Sequence, residues 1–175
     1  MHRKCNVIIG AYPRLDLMVF SRKIKAGVIG LGIGEQHIVG YNKHPNCQVK
    51  SICDLNLKKL SQVSEKYPDC LTTENANDIL NDNEINVVSI ASYDNHHADQ
   101  VIKALENKKN VFVEKPLCLT RTEYINIEKC LLKNPDLVLS SNLILRKTPR
   151  FIELKKRINS GQMGTPYLYE ASYDY

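Results

Sequence analysis

The stretch Ile24-Lys25-Ala26-Gly27-Val28-Ile29-Gly30-Leu31-Gly32-Ile33-Gly34-Glu35-Gln36-His37 runs from an apolar, β-rich hexapeptide into three alternate glycines and then into residues of helical character. That order predicts a strand, a tight turn and a helix. Glycines allow the turn to take positive φ and let the backbone approach a ligand closely, and a helix N-terminus offers free N–H groups and a favourable dipole to an anion such as a pyrophosphate. The spacing is GxGxG, one residue short of the usual GxGxxG if Gly34 is the third glycine. A purely structural βα turn would read the same way.

Working outward, short apolar runs alternate with segments of helical period. Val49–Cys53, Val87–Ala91, Val111–Val113 and Leu137–Leu139 follow Ile24–Ile29 as predicted strands. Between them Leu57, Leu60, Val63 and Tyr67, then Val101, Ile102 and Leu105, then Ile127, Leu131 and Leu132 recur at helical spacing. Thr120 and Glu123 form a capping-box pattern, and Pro135 follows the helix they open. Strands with few polar residues suit a parallel sheet covered on both faces, and right-handed crossovers make it doubly wound. The expected class is α/β, a Rossmann-type parallel sheet over residues 24–145. Residues 1–23 read as an extension of uncertain order, with Met18 a natural start. Residues 146–175 read as the opening of a second, α+β domain: a Phe151–Ile158 helix stopped by Gly161, then a strand alternating Tyr167, Tyr169, Ala171, Tyr173 and Tyr175 against polar neighbours.

Composition narrows the class. With 175 residues, 43% of them hydrophobic, the chain has apolar material for a core but no run near the roughly 20 residues of a membrane helix. The excess of 24 Lys and Arg over 19 Asp and Glu gathers at the two ends, so the body is slightly anionic and offers no phosphate-backbone footprint. Neither nucleic acid nor membrane is an expected partner. The six cysteines form no Cys-x-x-Cys pair and no ligand spacing, so no metal is expected and buried, reduced thiols in a cytoplasmic protein are the favoured reading.

Three further stretches carry chemistry. Asp54 ends the second strand, 22 residues beyond Gly32, where a carboxylate can accept hydrogen bonds from both adenosine ribose hydroxyls and repel a 2′-phosphate. NAD is therefore favoured, with NADP admissible because Lys58 and Lys59 lie one turn on. The alternative reading of Asp54 is the cap of a Leu55–Lys66 helix. Ser89 to Ala98 places Ser92, Asn95, His96 and His97 where a strand ends in a polar turn, although a lone histidine there is more often solvated or capping. Val111-Phe112-Val113-Glu114-Lys115-Pro116-Leu117 sets a lysine at the end of a buried strand, where a substrate would sit or a simple surface ion pair would form.

In order and spacing these features resemble the family of glucose-fructose oxidoreductase, inositol 2-dehydrogenase and the MocA proteins, from about Ile24 to about Tyr169. The diagnostic piece is Ala104 to Leu117, similar to the family's AL-x-x-GKHV-x-x-EKPL, with Lys108 in place of the glycine and Asn110 in place of the histidine. The resemblance implies an NAD(P)-dependent oxidoreductase acting on CH–OH groups of a sugar, sugar nucleotide or cyclitol. It implies cofactor contacts from Gly30, Gly32, Ile33, Gly34, Asp54, Ser92, Asn95, His97, Glu114 and Lys115. Lys115 is the implied catalytic residue, beside the nicotinamide ribose and substrate hydroxyl, and Lys115-Pro116 resembles the family's cis-proline turn.

The family's acid/base pair, an aspartate and a histidine one helical turn apart, belongs to a second domain, as do most of its substrate surface and its homo-oligomer interface. The chain therefore reads as an amino-terminal part that binds the nucleotide without that pair. A non-catalytic nucleotide-binding or interaction module is the alternative from a different class.

Overall fold

Glycine in the middle of a strand is unfavourable unless something approaches closely, and Gly27 is such a case. A Cβ there would lie 2.3 Å from Cγ2 of Ile79, so the strand can pack against a helix only because the side chain is missing. This strand, β1 (Ile24–Ile29), is central in a six-stranded sheet, and its last four residues are buried. The computed structural model describes residues 23–168, 170 and 172. The expected N-terminal extension, apart from residue 23, lies outside the described residues.

Elements follow β1 in strict alternation: α1 (Gly34–Asn42), β2 (Cys47–Cys53), α2 (Leu57–Lys66), β3 (Leu71–Thr73), α3 (Ala76–Leu80), β4 (Val87–Ile90), α4 (Asp94–Glu106), β5 (Asn110–Val113), α5 (Arg121–Lys133) and β6 (Leu139–Ser141). All pairings are parallel, in the order β3-β2-β1-β4-β5-β6. This is the doubly wound Rossmann arrangement the sequence predicts. Alternate residues of β1 face opposite layers. Ala26 and Val28 join Ile38 of α1 and Leu60 and Val63 of α2, while Ile29 joins Ile79 of α3, Val101 and Leu105 of α4 and Ile127 of α5. Each valine, leucine or isoleucine among them, fully buried, contributes about 1.5–3 kcal/mol.

Several expectations shift. β3 and α3 carry no clear sequence signal, because one is a three-residue edge strand of mostly exposed residues and the other has only five residues. The last strand lies at Leu139–Ser141 instead of Leu137–Leu139. As an edge strand paired only with β5 it needs little apolar character, and Ser140 and Ser141 pair with Phe112 and Val113. The α2 helix starts at Leu57, and its cap is Asn56, whose side chain accepts from the Lys59 N–H at 3.1 Å. Asp54 is thus not its cap. The Thr120–Glu123 capping box is present with both reciprocal bonds.

The described chain divides into two compact units, up to Asn142 and from Leu143. The second holds a short 3₁₀ turn (Ile144–Lys147) and α6 (Pro149–Asn159), with a proline in the first turn and Gly161 at φ +74° just past the end. In the expected tyrosine-rich strand, Tyr167 and Leu168 are exposed and belong to no strand, and Tyr169, Ala171 and residues 173–175 lie outside the described residues.

Candidate functional site

The strand order reverses between β1 and β4, and the carboxyl ends of these two neighbours open a crevice where ligands bind in such sheets. Gly30 leaves β1 with its N–H donated to the Cys53 carbonyl at 2.8 Å. Its φ is +84°, and a Cβ would fall 2.2 Å from the Ala91 carbonyl oxygen, so no other residue fits without moving the β4 end. Gly34, buried at the start of α1, keeps the helix close to the sheet, since a Cβ would meet Val28 at 3.0 Å and Ala91 at 3.3 Å. Around Gly32 nothing lies within 4 Å of a Cβ position, so this backbone faces open space. Ile33 stands at the N-cap of α1, 53% exposed, and no side chain caps that helix.

Asp54 closes the turn from the other side. One carboxylate oxygen accepts the Leu31 N–H at 2.7 Å and the other accepts the Asn56 N–H at 2.8 Å. A carboxylate has about four acceptor positions, so two remain. The crevice beside it is about 550 Å³, and its lining includes Gly30, Gly32, Asp54 and Ser92 from the expected set. Ser92 donates its hydroxyl to Oε1 of Gln100 at 2.7 Å. Cys53, Lys59, Glu74, Asn75, His96 and Gln100 also line the crevice. Burial, then the nearby Asp54, Asp78 and Glu74 carboxylates, push the Cys53 thiol up to about 12.

Other expected residues lie elsewhere. Asn95 is exposed on the first turn of α4 and outside the crevice lining. His97, expected to touch the cofactor, is only 1% exposed, with Nδ1 2.6 Å from the Pro116 carbonyl and Nε2 3.0 Å from that of Ser92. Spaced one turn into α4, it points to the sheet and ties the β4 turn to the loop after β5. The Lys115-Pro116 bond is cis, and Lys115 itself is exposed at the carboxyl end of β5.

Glu114 is 8% exposed and sits under that lysine. Its Oε1 receives the Asn142 side-chain amide at 2.6 Å and lies 3.1 Å from Nε2 of His37, and its Oε2 accepts the Lys115 N–H at 3.4 Å. Nδ1 of His37 is 2.7 Å from the hydroxyl of Ser89, and the ring stands edge-on to Phe112 at 5.1 Å. This buried polar group links α1, β4, β5 and the end of β6. Sequence reasoning assigned no role to His37, Ser89 or Asn142. Only the position of His37, on the helix just after the glycine turn, hinted at one.

Comparison with known proteins agrees with this geometry. The Gfo/Idh/MocA oxidoreductase family, characterised by an NAD-binding Rossmann fold, matches residues 24–141. Inositol 2-dehydrogenase of Salmonella typhimurium is 29% identical over 148 residues, which are 83% of this chain and 44% of that protein. The scyllo-inositol 2-dehydrogenase (NAD(+)) of Bacillus subtilis is 28% identical over 152 residues, 86% of this chain and 44% of its own. The crystal structure of myo-inositol 2-dehydrogenase from Lactobacillus plantarum superposes with a TM-score of 0.75 at 26% identity, covering 82% of this chain and 43% of that one. The chain thus spans less than half the length of these relatives. With the matching residues extending from the first strand to the last of the sheet, the chain belongs to the Gfo/Idh/MocA oxidoreductase family.

Proposed function

We propose that residues 24–145 bind NAD in the crevice between β1 and β4, and that the whole protein transfers hydride between the nicotinamide and a carbon of a cyclitol or sugar. The observation that carries the cofactor reading is Asp54, held by Leu31 and Asn56 with acceptor capacity left over at the crevice wall. The residues fit the group. The open backbone at Gly32 and the uncapped start of α1, where the Gln36 N–H is taken by the Ile33 carbonyl and the N–H groups before it lack intrahelical partners, suit a pyrophosphate. The Asp54 carboxylate suits the ribose diol and disfavours a 2′-phosphate.

When bound, the nicotinamide supplies the hydride acceptor or donor. The chain's own contribution at the reacting carbon is Lys115, whose ammonium would stabilise negative charge on the substrate oxygen. Glu114, anchored by Asn142 and His37, accepts the Lys115 N–H and so helps hold the Lys115 backbone in place. Alcohol oxidation also needs a group to receive the hydroxyl proton. We assign it to the substrate and oligomerisation domain that the segment from about residue 146 opens. The relatives named above carry inositol in their names, which makes a cyclitol the first substrate to try.

Titration of the folded chain with NAD+ by calorimetry tests this reading. Binding that Asp54→Ala weakens supports it, with inositol-dependent NADH formation staying at background for these 175 residues. A folded chain that takes up neither NAD+ nor NADH overturns it.

A further inference from the structure

Among the described residues lining the crevice, Lys59 is the only lysine or arginine. It stands one turn beyond Asp54, where a cation would ordinarily meet a phosphate on the adenosine ribose. Its ammonium is turned away. Nζ of Lys59 donates to Oε2 of Glu35 at 2.7 Å, and Nζ of Lys66 donates to Oε1 of the same carboxylate at 2.7 Å. Glu35 is the first residue after Gly34, on the opening turn of α1, and its side chain is 16% exposed. The two ammonium groups hold the Glu35 carboxyl below its usual range, mainly through the Lys59 bond and then the Lys66 bond. Lys58 is exposed and outside the crevice lining.

We infer that Glu35 is a specificity residue for the nucleotide: by drawing Lys59 onto α1 it withholds from a 2′-phosphate the one lysine or arginine among the described residues of the crevice lining, so the crevice favours NAD over NADP. This deepens the cofactor reading above and rests on it. Asp54 rejects the phosphate by repulsion, and Glu35 withholds its counter-charge. The carboxylate of Glu74, also in the crevice lining, adds to the negative field. The arrangement joins Glu35 to lysines 24 and 31 positions away in sequence that the β1–β2 pairing brings together.

The test compares affinities for NADPH and NADH, read from reduced-nicotinamide fluorescence, in the parent chain, Glu35→Gln, Glu35→Ser and Glu35→Gln/Lys59→Met. Removing the Glu35 charge improves the field for any pyrophosphate, so the ratio of the two affinities isolates the 2′-phosphate. The expected result is a shift of that ratio toward NADPH by about fivefold in either single variant, the scale of one exposed ion pair, fading at high salt. It returns to the parent value in the double variant. A single variant that folds and binds NADH with an unchanged ratio overturns the inference, as does a gain that survives loss of Lys59. A parent chain that binds neither nucleotide overturns the cofactor reading itself and this inference with it, an outcome distinct from an unchanged ratio.

Discussion

Oδ2 of Asp54 accepts the backbone N–H of Leu31 at 2.7 Å, joining the end of β2 to the middle of the glycine turn. One carboxylate therefore shapes the turn and presents acceptors to the crevice. Asp54→Ala should do two things: weaken NAD+ binding by at least about tenfold, and lower stability by about 1–3 kcal/mol, since the Leu31 N–H loses its partner. Calorimetric titration and urea denaturation read the two effects separately. Lost binding with an unchanged denaturation midpoint would show that the Leu31 bond contributes nothing to the fold.

The turn glycines separate folding from binding. At Gly30 a Cβ meets the Ala91 carbonyl at 2.2 Å under a φ of +84°, whereas at Gly32 it meets nothing within 4 Å. Gly30→Ala should fail to fold or melt far below the parent. Gly32→Ala should keep its melting temperature and lose NAD+ affinity, because the methyl group stands where the pyrophosphate approaches. Equal melting losses in the two variants would contradict this division.

Lys108 occupies φ +58° just past the end of α4, the one non-glycine in the left-handed region among the described residues. It is also the place where the related motif has glycine. Its ammonium bonds the side-chain oxygen of Asn134, a contact a glycine forfeits. The backbone gain, about 1–2 kcal/mol, exceeds the worth of one exposed bond. Lys108→Gly should therefore raise stability by about 1 kcal/mol in urea denaturation; a loss would show that the Asn134 tie outweighs the strain.

The pair His37 and Glu114 can be weighed by a double-mutant cycle. Each single alanine variant leaves a polar partner without its bond, the buried Ser89 in one case and the half-buried Asn142 in the other. A coupling energy of about 0.5–3 kcal/mol is expected from denaturation of the two single variants and the double. Additive losses would mean that the two side chains stand side by side without acting as a unit.

Acid should loosen the start of the sheet. Glu84 bonds Lys25 at 2.8 Å and Lys50 at 2.6 Å, and these ammonium groups, Lys25 first, hold its carboxyl down at about 2 from an ordinary 4.5. A carboxyl whose folded pKa is depressed contributes stability in full above its unfolded value, and that contribution fades as pH falls from 4.5 toward about 2. Denaturation midpoints of the parent and of Glu84→Gln should thus differ at pH 6 and draw together as pH falls through about 2. A constant gap would locate the pH dependence elsewhere.

What the sequence determined by itself was the local grammar: alternate strands and helices, the glycine turn after β1, the Thr120 capping box, and the carboxylate at the end of β2. Each is written in residues close together in the chain, where periodicity, φ preferences and capping act directly. β3 and α3 escaped because an exposed three-residue edge strand and a five-residue helix are too short for periodicity to register. Tertiary structure alone decided where the polar side chains point. It turned His97 inward against two carbonyls instead of toward a ligand, gathered His37, Ser89, Glu114 and Asn142 from across more than a hundred residues, and tied Lys59 to Glu35. No local rule reaches so far, because these partners meet only once the parallel sheet has brought strands distant in sequence side by side. The motifs were therefore legible before folding, and the roles of the charges among them were not.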